Sequence, residues 1–141
     1  MTALYFPIAN EVETWELFRR VKQRDAVALF PKVVGDRLVF LPAESRSGFV
    51  EGHYGMPEPV GQDAVPIDRI ECLILPGVAF DLWGHRLGFG KGYYDRALKD
   101  YRGFRIGLGY DFQVVPDLPF GDADHGCHCV VTESRVIWGS L

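Results

Sequence analysis

Apolar residues open the chain in a short run, Ala3-Leu-Tyr-Phe6, which Pro7 closes; this is the pattern of a buried strand. Trp15, Leu17, Phe18 and Val21 then recur at helical spacing. Thr14 stands as a candidate N-cap, Glu16 lies in the first turn, and Arg19, Arg20, Lys22 and Arg24 crowd the end. Ala26-Val-Ala-Leu-Phe30 reads as a second buried strand, stopped by Pro31. Gly35-Asp36 suits the turn of a hairpin between Lys32-Val-Val34 and Leu38-Val-Phe-Leu41. From Pro42 to Pro66 the chain is rich in Gly, Pro, Ser and charge and reads as a long surface excursion. Cys72-Leu-Ile-Leu75, Arg105-Ile-Gly-Leu-Gly109 and Cys129-Val-Val-Thr132 are further short strands, and Val136-Ile-Trp138 adds an edge. A second helix is expected from about Tyr93 to Asp100. Strand–helix–strand alternation predicts an α/β fold: three α/β/α layers around a mostly parallel, Rossmann-like sheet.

Composition narrows the picture. The 141 residues fit one domain, 1–141. A net charge of −4 argues against a general nucleic-acid binder, yet leaves room for an anionic ligand held by local amides and cations. No signal peptide or apolar run of membrane-spanning length is visible, so no membrane partner is expected. Three cysteines without framework spacing suit reduced thiols in the cytoplasm. A monomer is the favoured state.

The chemistry concentrates in Arg86-Leu-Gly-Phe-Gly-Lys-Gly-Tyr-Tyr-Asp95. Gly88, Gly90 and Gly92 remove the Cβ atoms that would keep a phosphate away, and they permit angles that turn successive amides inward. Arg86 supplies a planar fork and Lys91 a mobile point charge. Asp95, in the first turn of the following helix, can face a cation such as Mg²⁺, which requires oxygen ligands. The spacing matches neither the Walker loop nor the dinucleotide fingerprint. A glycine-rich connection without a ligand is the bland alternative, and the flanking Arg, Lys and Asp weigh against it.

Pro76-Gly-Val-Ala-Phe-Asp81 followed by Gly84-His-Arg-Leu-Gly-Phe-Gly-Lys-Gly-Tyr-Tyr-Asp95 resembles the signature of the 5-formyltetrahydrofolate cyclo-ligase family. The likeness extends to Glu11-Val-Glu-Thr14, Tyr54-Gly-Met-Pro-Glu-Pro59 and Val130-Val-Thr-Glu133. It implies a cyclo-ligase type of sheet and the ATP- and Mg²⁺-dependent conversion of 5-formyltetrahydrofolate to 5,10-methenyltetrahydrofolate, releasing ADP and phosphate. By match to the motif, Arg86, Leu87, Gly88, Phe89, Gly90, Lys91, Gly92, Tyr93 and Tyr94 would bind ATP. Arg86, Lys91 and Tyr93 would carry the catalytic roles. Asp95 and Asp124 would ligate Mg²⁺, and Phe6, Glu11 and Tyr54 would contact the folate.

Two departures from the family pattern stand out. Members usually begin with a basic helical segment ahead of the first strand, and here Ala3 is already in that strand; an N-terminally shortened domain is therefore expected. Asp124-His-Gly-Cys-His-Cys129 carries a histidine, His128, near a position where the family commonly has an aspartate. His125, Cys127, His128 and Cys129 taken alone suggest a soft-metal site. On a strand, however, Cys127 and Cys129 would share one face and His128 the other. The alternatives to turnover are a relative that binds folate or nucleotide without reaction, and a ligase acting on another formylated or pterin-like substrate.

Overall fold

The structure, a computed structural model, describes residues 1–121 and 124–140, with the side chain of Tyr54 left outside. The elements in chain order are β1 (Thr2–Ala3), α1 (Trp15–Gln23), β2 (Ala28–Val34), β3 (Arg37–Pro42), β4 (Phe49–Glu51), β5 (Pro57–Pro59), β6 (Cys72–Leu75), β7 (Ala79–Asp81), β8 (Arg86–Leu87), α2 (Tyr93–Leu98), β9 (Phe104–Leu108), β10 (Val114–Val115), β11 (Cys129–Val131) and β12 (Val136–Trp138). Seven strands form the main sheet in the order β12-β11-β9-β6-β1-β2-β3. The pairings between β2 and β1, β1 and β6, β6 and β9, and β9 and β11 are parallel, and β3 and β12 close the two edges antiparallel.

Side-chain alternation divides the core between the two faces of this sheet. Ala3, Leu29, Leu73, Leu75 and Val130 point to the face covered by Leu98 and Tyr101 at the end of α2. Leu4, Ala28, Phe30 and Ile74 point to the other face, where Phe18 of α1 packs. The α/β/α layering read from the sequence is thus present, with few helices. None of those described is long and apolar enough to cross a membrane.

Pro31 does not stop the second strand. Ala43 N–H donates to Ala28 O, so the hydrogen-bonded pairs of the β2–β3 ladder fall at Phe30, Lys32 and Val34. The nitrogen of Pro31 therefore faces away from β3, toward β1, which has already ended, and no ladder bond is lost. Two residues on, the Val33 N–H points the same way and donates to Glu58 Oε2 at 2.9 Å. Glu58 belongs to β5, which pairs with β4 inside the stretch expected to be a plain surface loop.

Thr14 also differs from expectation. It occupies the N-cap position, but its buried hydroxyl donates to Tyr5 O at 2.7 Å, tying α1 to the segment that follows β1. The Glu13 carboxylate accepts the Trp15 N–H in its place.

A three-stranded sheet, β10-β7-β8, had no counterpart in the hydrophobic pattern because its strands are two or three residues long. It is anchored by Phe80, fully buried, whose ring lies where a Cβ on Gly77, Gly107 or Gly109 would stand, at 2.8, 2.6 and 2.9 Å. Glycine at these three positions makes room for that ring.

Candidate functional site

Strand β1 leads to β2 on one side, whereas β6 pairs on its other side. The strand order therefore reverses between β1 and β6, and ligands in open α/β sheets bind beyond the carboxyl ends at such a point. The segments leaving these two strands are Leu4–Glu11 and the Pro76 stretch that leads into the glycine-rich loop.

On the first segment, the Tyr5 hydroxyl donates to Val12 O at 2.7 Å, and Ile8 N–H donates to Glu11 Oε1 at 2.9 Å. These bonds fold the segment back so that Glu11 lines the cleft. Burial pushes the Glu11 carboxyl above its ordinary range, against the opposing pull of the Ile8 amide and the Arg86 charge. Phe6 meets Trp15 and Phe49 edge-on, each at 5.3 Å between centroids, and also lines the cleft.

The second segment is stapled by Asp81, which is fully buried. Its Oδ1 accepts Trp83 N–H and His85 N–H, each at 2.9 Å, while Oδ2 contacts His85 Nδ1 at 2.8 Å and accepts Leu118 N–H at 3.0 Å. Burial alone would raise this carboxyl; the donors from His85, Trp83 and Leu118 outweigh it and hold the group below its usual range. The hairpin so fixed presents Arg86, itself buried. Its Nε–H donates to Pro76 O, and its guanidinium lies 5.1 Å from the centre of the Tyr94 ring. Burial raises the Tyr94 hydroxyl, with Arg86 pulling the other way.

Beyond Arg86 the backbone takes positive φ at Gly90 (95°) and Gly92 (72°), which brings Leu87 through Tyr94 along one wall of the cleft. A side chain is strained in this region, and glycine is not. Helix α2 has only six residues, so its dipole is small and the cations of the loop supply most of the positive charge. Lys91 and Tyr93 line the same wall, and Arg96 lies over the Tyr93 ring at 5.1 Å.

Asp95 and Asp124 both line this cleft. Asp95 Oδ1 accepts His125 N–H at 3.2 Å, and Asp124 Oδ2 accepts Gly121 N–H at 2.9 Å. Carboxylate oxygens are the hard donors that Mg²⁺ takes, so this pair fits the ion chemically. Among the described residues, the group whose ligand atoms already lie within 4.8 Å of one another is a different one, Asp81, His85 and Asp117. Both Asp81 oxygens there already hold two contacts each. The soft-metal alternative finds no support: Cys127 packs in the core beside Gly107, and burial pushes its thiol up to about 12. Cys129 pairs in register with Ile106, a residue of the opposite face. The two cysteines thus do not share a face, because the strand begins only at Cys129. His128 stacks on Phe104 at 4.7 Å, and its Nδ1 accepts Arg105 N–H at 3.0 Å.

Phe6, Glu11, Arg86 to Tyr94, Asp95 and Asp124 thus surround one cleft of about 1000 Å³. Tyr54 lies outside the described side chains. The lining also takes in Pro31, Val33 and Leu38 from the hairpin, together with His53, Met56 and Glu58, to which the sequence reading assigns no role. Glu58 carried one signal: a charged residue between two prolines, too constrained for a free surface loop.

The sequence matches the 5-formyltetrahydrofolate cyclo-ligase family over residues 1–133. It is 34% identical over 143 residues to 5-formyltetrahydrofolate cyclo-ligase of Escherichia coli, an alignment covering 95% of this chain and 78% of that protein. The NMR structure of Aquifex aeolicus 5,10-methenyltetrahydrofolate synthetase superposes with a TM-score of 0.84 at 40% identity, covering 97% of this chain and 70% of that one. The 5,10-methenyltetrahydrofolate synthetase from Mycoplasma pneumoniae gives a TM-score of 0.75 at 29% identity, over 94% and 73% of the two chains.

Proposed function

The chain belongs to the 5-formyltetrahydrofolate cyclo-ligase family, and from that membership we propose that it converts 5-formyltetrahydrofolate to 5,10-methenyltetrahydrofolate at the expense of ATP. The observation that carries the reading is one cleft walled by a half-buried carboxylate, Glu11, on one side and a cationic glycine loop, Arg86 to Tyr94, on the other.

In this reading the formyl oxygen attacks the γ-phosphorus and ADP leaves, which turns a poor leaving group into a good one. The second folate nitrogen, N10, then bonds to the activated carbon and loses its proton. The carbon–oxygen bond breaks, and inorganic phosphate departs. The protein's part is positioning and charge neutralisation. Arg86 and Lys91 hold phosphate oxygens, the loop amides add neutral donors, and Tyr93 and Tyr94 close the wall. Asp95 and Asp124 would hold Mg²⁺, which neutralises phosphate charge when bound. The Glu11 carboxylate suits the paired N–H donors of a pterin, and Phe6 offers an apolar surface to its ring. The three cysteines are free thiols, as a reducing compartment such as the cytoplasm keeps them.

Incubation with 5-formyltetrahydrofolate and Mg-ATP should build the absorbance of the methenyl product. Folded protein that binds both compounds yet forms no product would replace the ligase reading with that of a binding protein.

A further inference from the structure

The Arg86 guanidinium is tied to a carbonyl, Pro76 O, whose two following residues are held in place by another side chain. Pro76 O accepts the Arg86 Nε–H, and the next residues leave β6 without strand partners for their carbonyls. Gln113 supplies those partners. Its Nε2 donates to Gly77 O at 2.9 Å and to Val78 O at 3.1 Å, while its Oε1 accepts Tyr110 N–H at 2.8 Å. Both amide protons and the amide oxygen are thereby in use. Val78 N–H in turn donates to Leu87 O at 2.8 Å, next to Arg86, so the braced segment touches both ends of the hairpin.

Gln113 stands on a fixed base. It ends the turn Asp111–Gln113, and Asp111 Oδ1 receives Arg135 Nε–H at 2.7 Å and the Thr132 hydroxyl at 3.1 Å. Asp111 N–H donates to Glu133 Oε1 at 2.7 Å. Hydrogen bonds from the β11–β12 turn thus fix Asp111, the short turn carries that anchorage to Gln113, and Gln113 holds Gly77 and Val78, the two residues that follow the Pro76 carbonyl on Arg86.

We propose that Gln113 is a positioning residue for the nucleotide: its side-chain amide fixes Pro76–Val78 and so holds Arg86 in the geometry that receives the phosphates. The proposal rests on the reading of Arg86 as a phosphate ligand. Methionine at this position keeps the length and removes both donors. Glutamate keeps the acceptor for Tyr110 and sets a carboxylate against two carbonyls. Misplacement of a cation by about an ångström should cost on the order of tenfold to a hundredfold in kcat/KM for ATP.

The test uses the full chain with Gln113→Met and Gln113→Glu. The first readout needs no activity: the Arg86 Nε–H resonance in a ¹⁵N-correlated spectrum, assigned by its loss in Arg86→Lys. Both variants should shift it and speed its exchange with water. The second readout is kinetic. KM for ATP should rise, or kcat fall, with the folate KM within about twofold and the melting temperature within a few degrees. In an Arg86→Lys background, Gln113→Met should cost little more. An unmoved Arg86 resonance overturns the proposal. So does an equal loss for ATP and folate together with a large fall in melting temperature, or an undiminished cost in the Arg86→Lys background. If the unaltered protein makes no methenyl product, the functional reading falls, while the resonance still decides the role of Gln113.

Discussion

Arg86 and Asp81 show how two buried charges in one hairpin can serve different ends. Asp81 is surrounded by donors that belong to its own neighbourhood, so its charge is spent on the fold. Arg86 gives one N–H to Pro76 and turns the rest of its fork toward Gly88, Tyr94 and the cleft. Arg86→Lys keeps the charge and loses the fork; we expect kcat/KM for ATP to fall by about one to two orders of magnitude, read from initial rates. Glu11→Gln should instead raise the KM for the folate and leave that for ATP nearly unchanged. Asp81 makes a prediction about pH. Its folded carboxyl ionises below the usual range, so its contribution to stability is fully present above the unfolded value of about 3.9 and is lost as pH falls through the folded value. Melting curves should therefore show a smaller acid-induced drop for Asp81→Asn than for the parent, from a lower starting point. Equal drops would contradict the assignment.

At the scale of elements, legibility followed length and local chemistry. The strands at Cys72–Leu75 and Cys129–Val131, helix α1 and the Gly35–Asp36 turn were visible because hydrophobic period and turn residues agree there. Pro31 misled because proline forbids a ladder bond only on the side its nitrogen faces, and that side depends on register, which a local pattern does not contain. The sheet β10-β7-β8 was hidden for the opposite reason: strands so short carry no period, and their stability comes from the burial of Phe80. The glycine loop was legible as a loop because Gly90 and Gly92 use angles that favour glycine. The braces that aim it, Asp81 and Gln113, were not, since their partners are distant in sequence or are backbone groups. Gly92→Ala tests the loop directly. The added Cβ would meet Arg96 Nη1 at 2.9 Å in a left-handed conformation, so a cost of about 1–2 kcal/mol in stability is expected, with a larger proportional loss in ATP affinity. An unchanged ATP affinity would show that the loop does not face the phosphates.

Across the fold, the reversal of strand order between β1 and β6 brings two sets of cleft residues together. Residues of the first segment, Phe6 and Glu11, and of the loop some eighty positions later meet only because β1 and β6 lie side by side in parallel. In the proposed function this shared cleft lets the formyl oxygen of one substrate attack the γ-phosphorus of the other. The most direct measurement labels that oxygen: 5-formyltetrahydrofolate carrying ¹⁸O in its formyl group is turned over with Mg-ATP, and the released inorganic phosphate is analysed by mass. Attack by the formyl oxygen places one ¹⁸O atom in each phosphate released with methenyl product; methenyl product accompanied by unlabelled phosphate would rule that attack out.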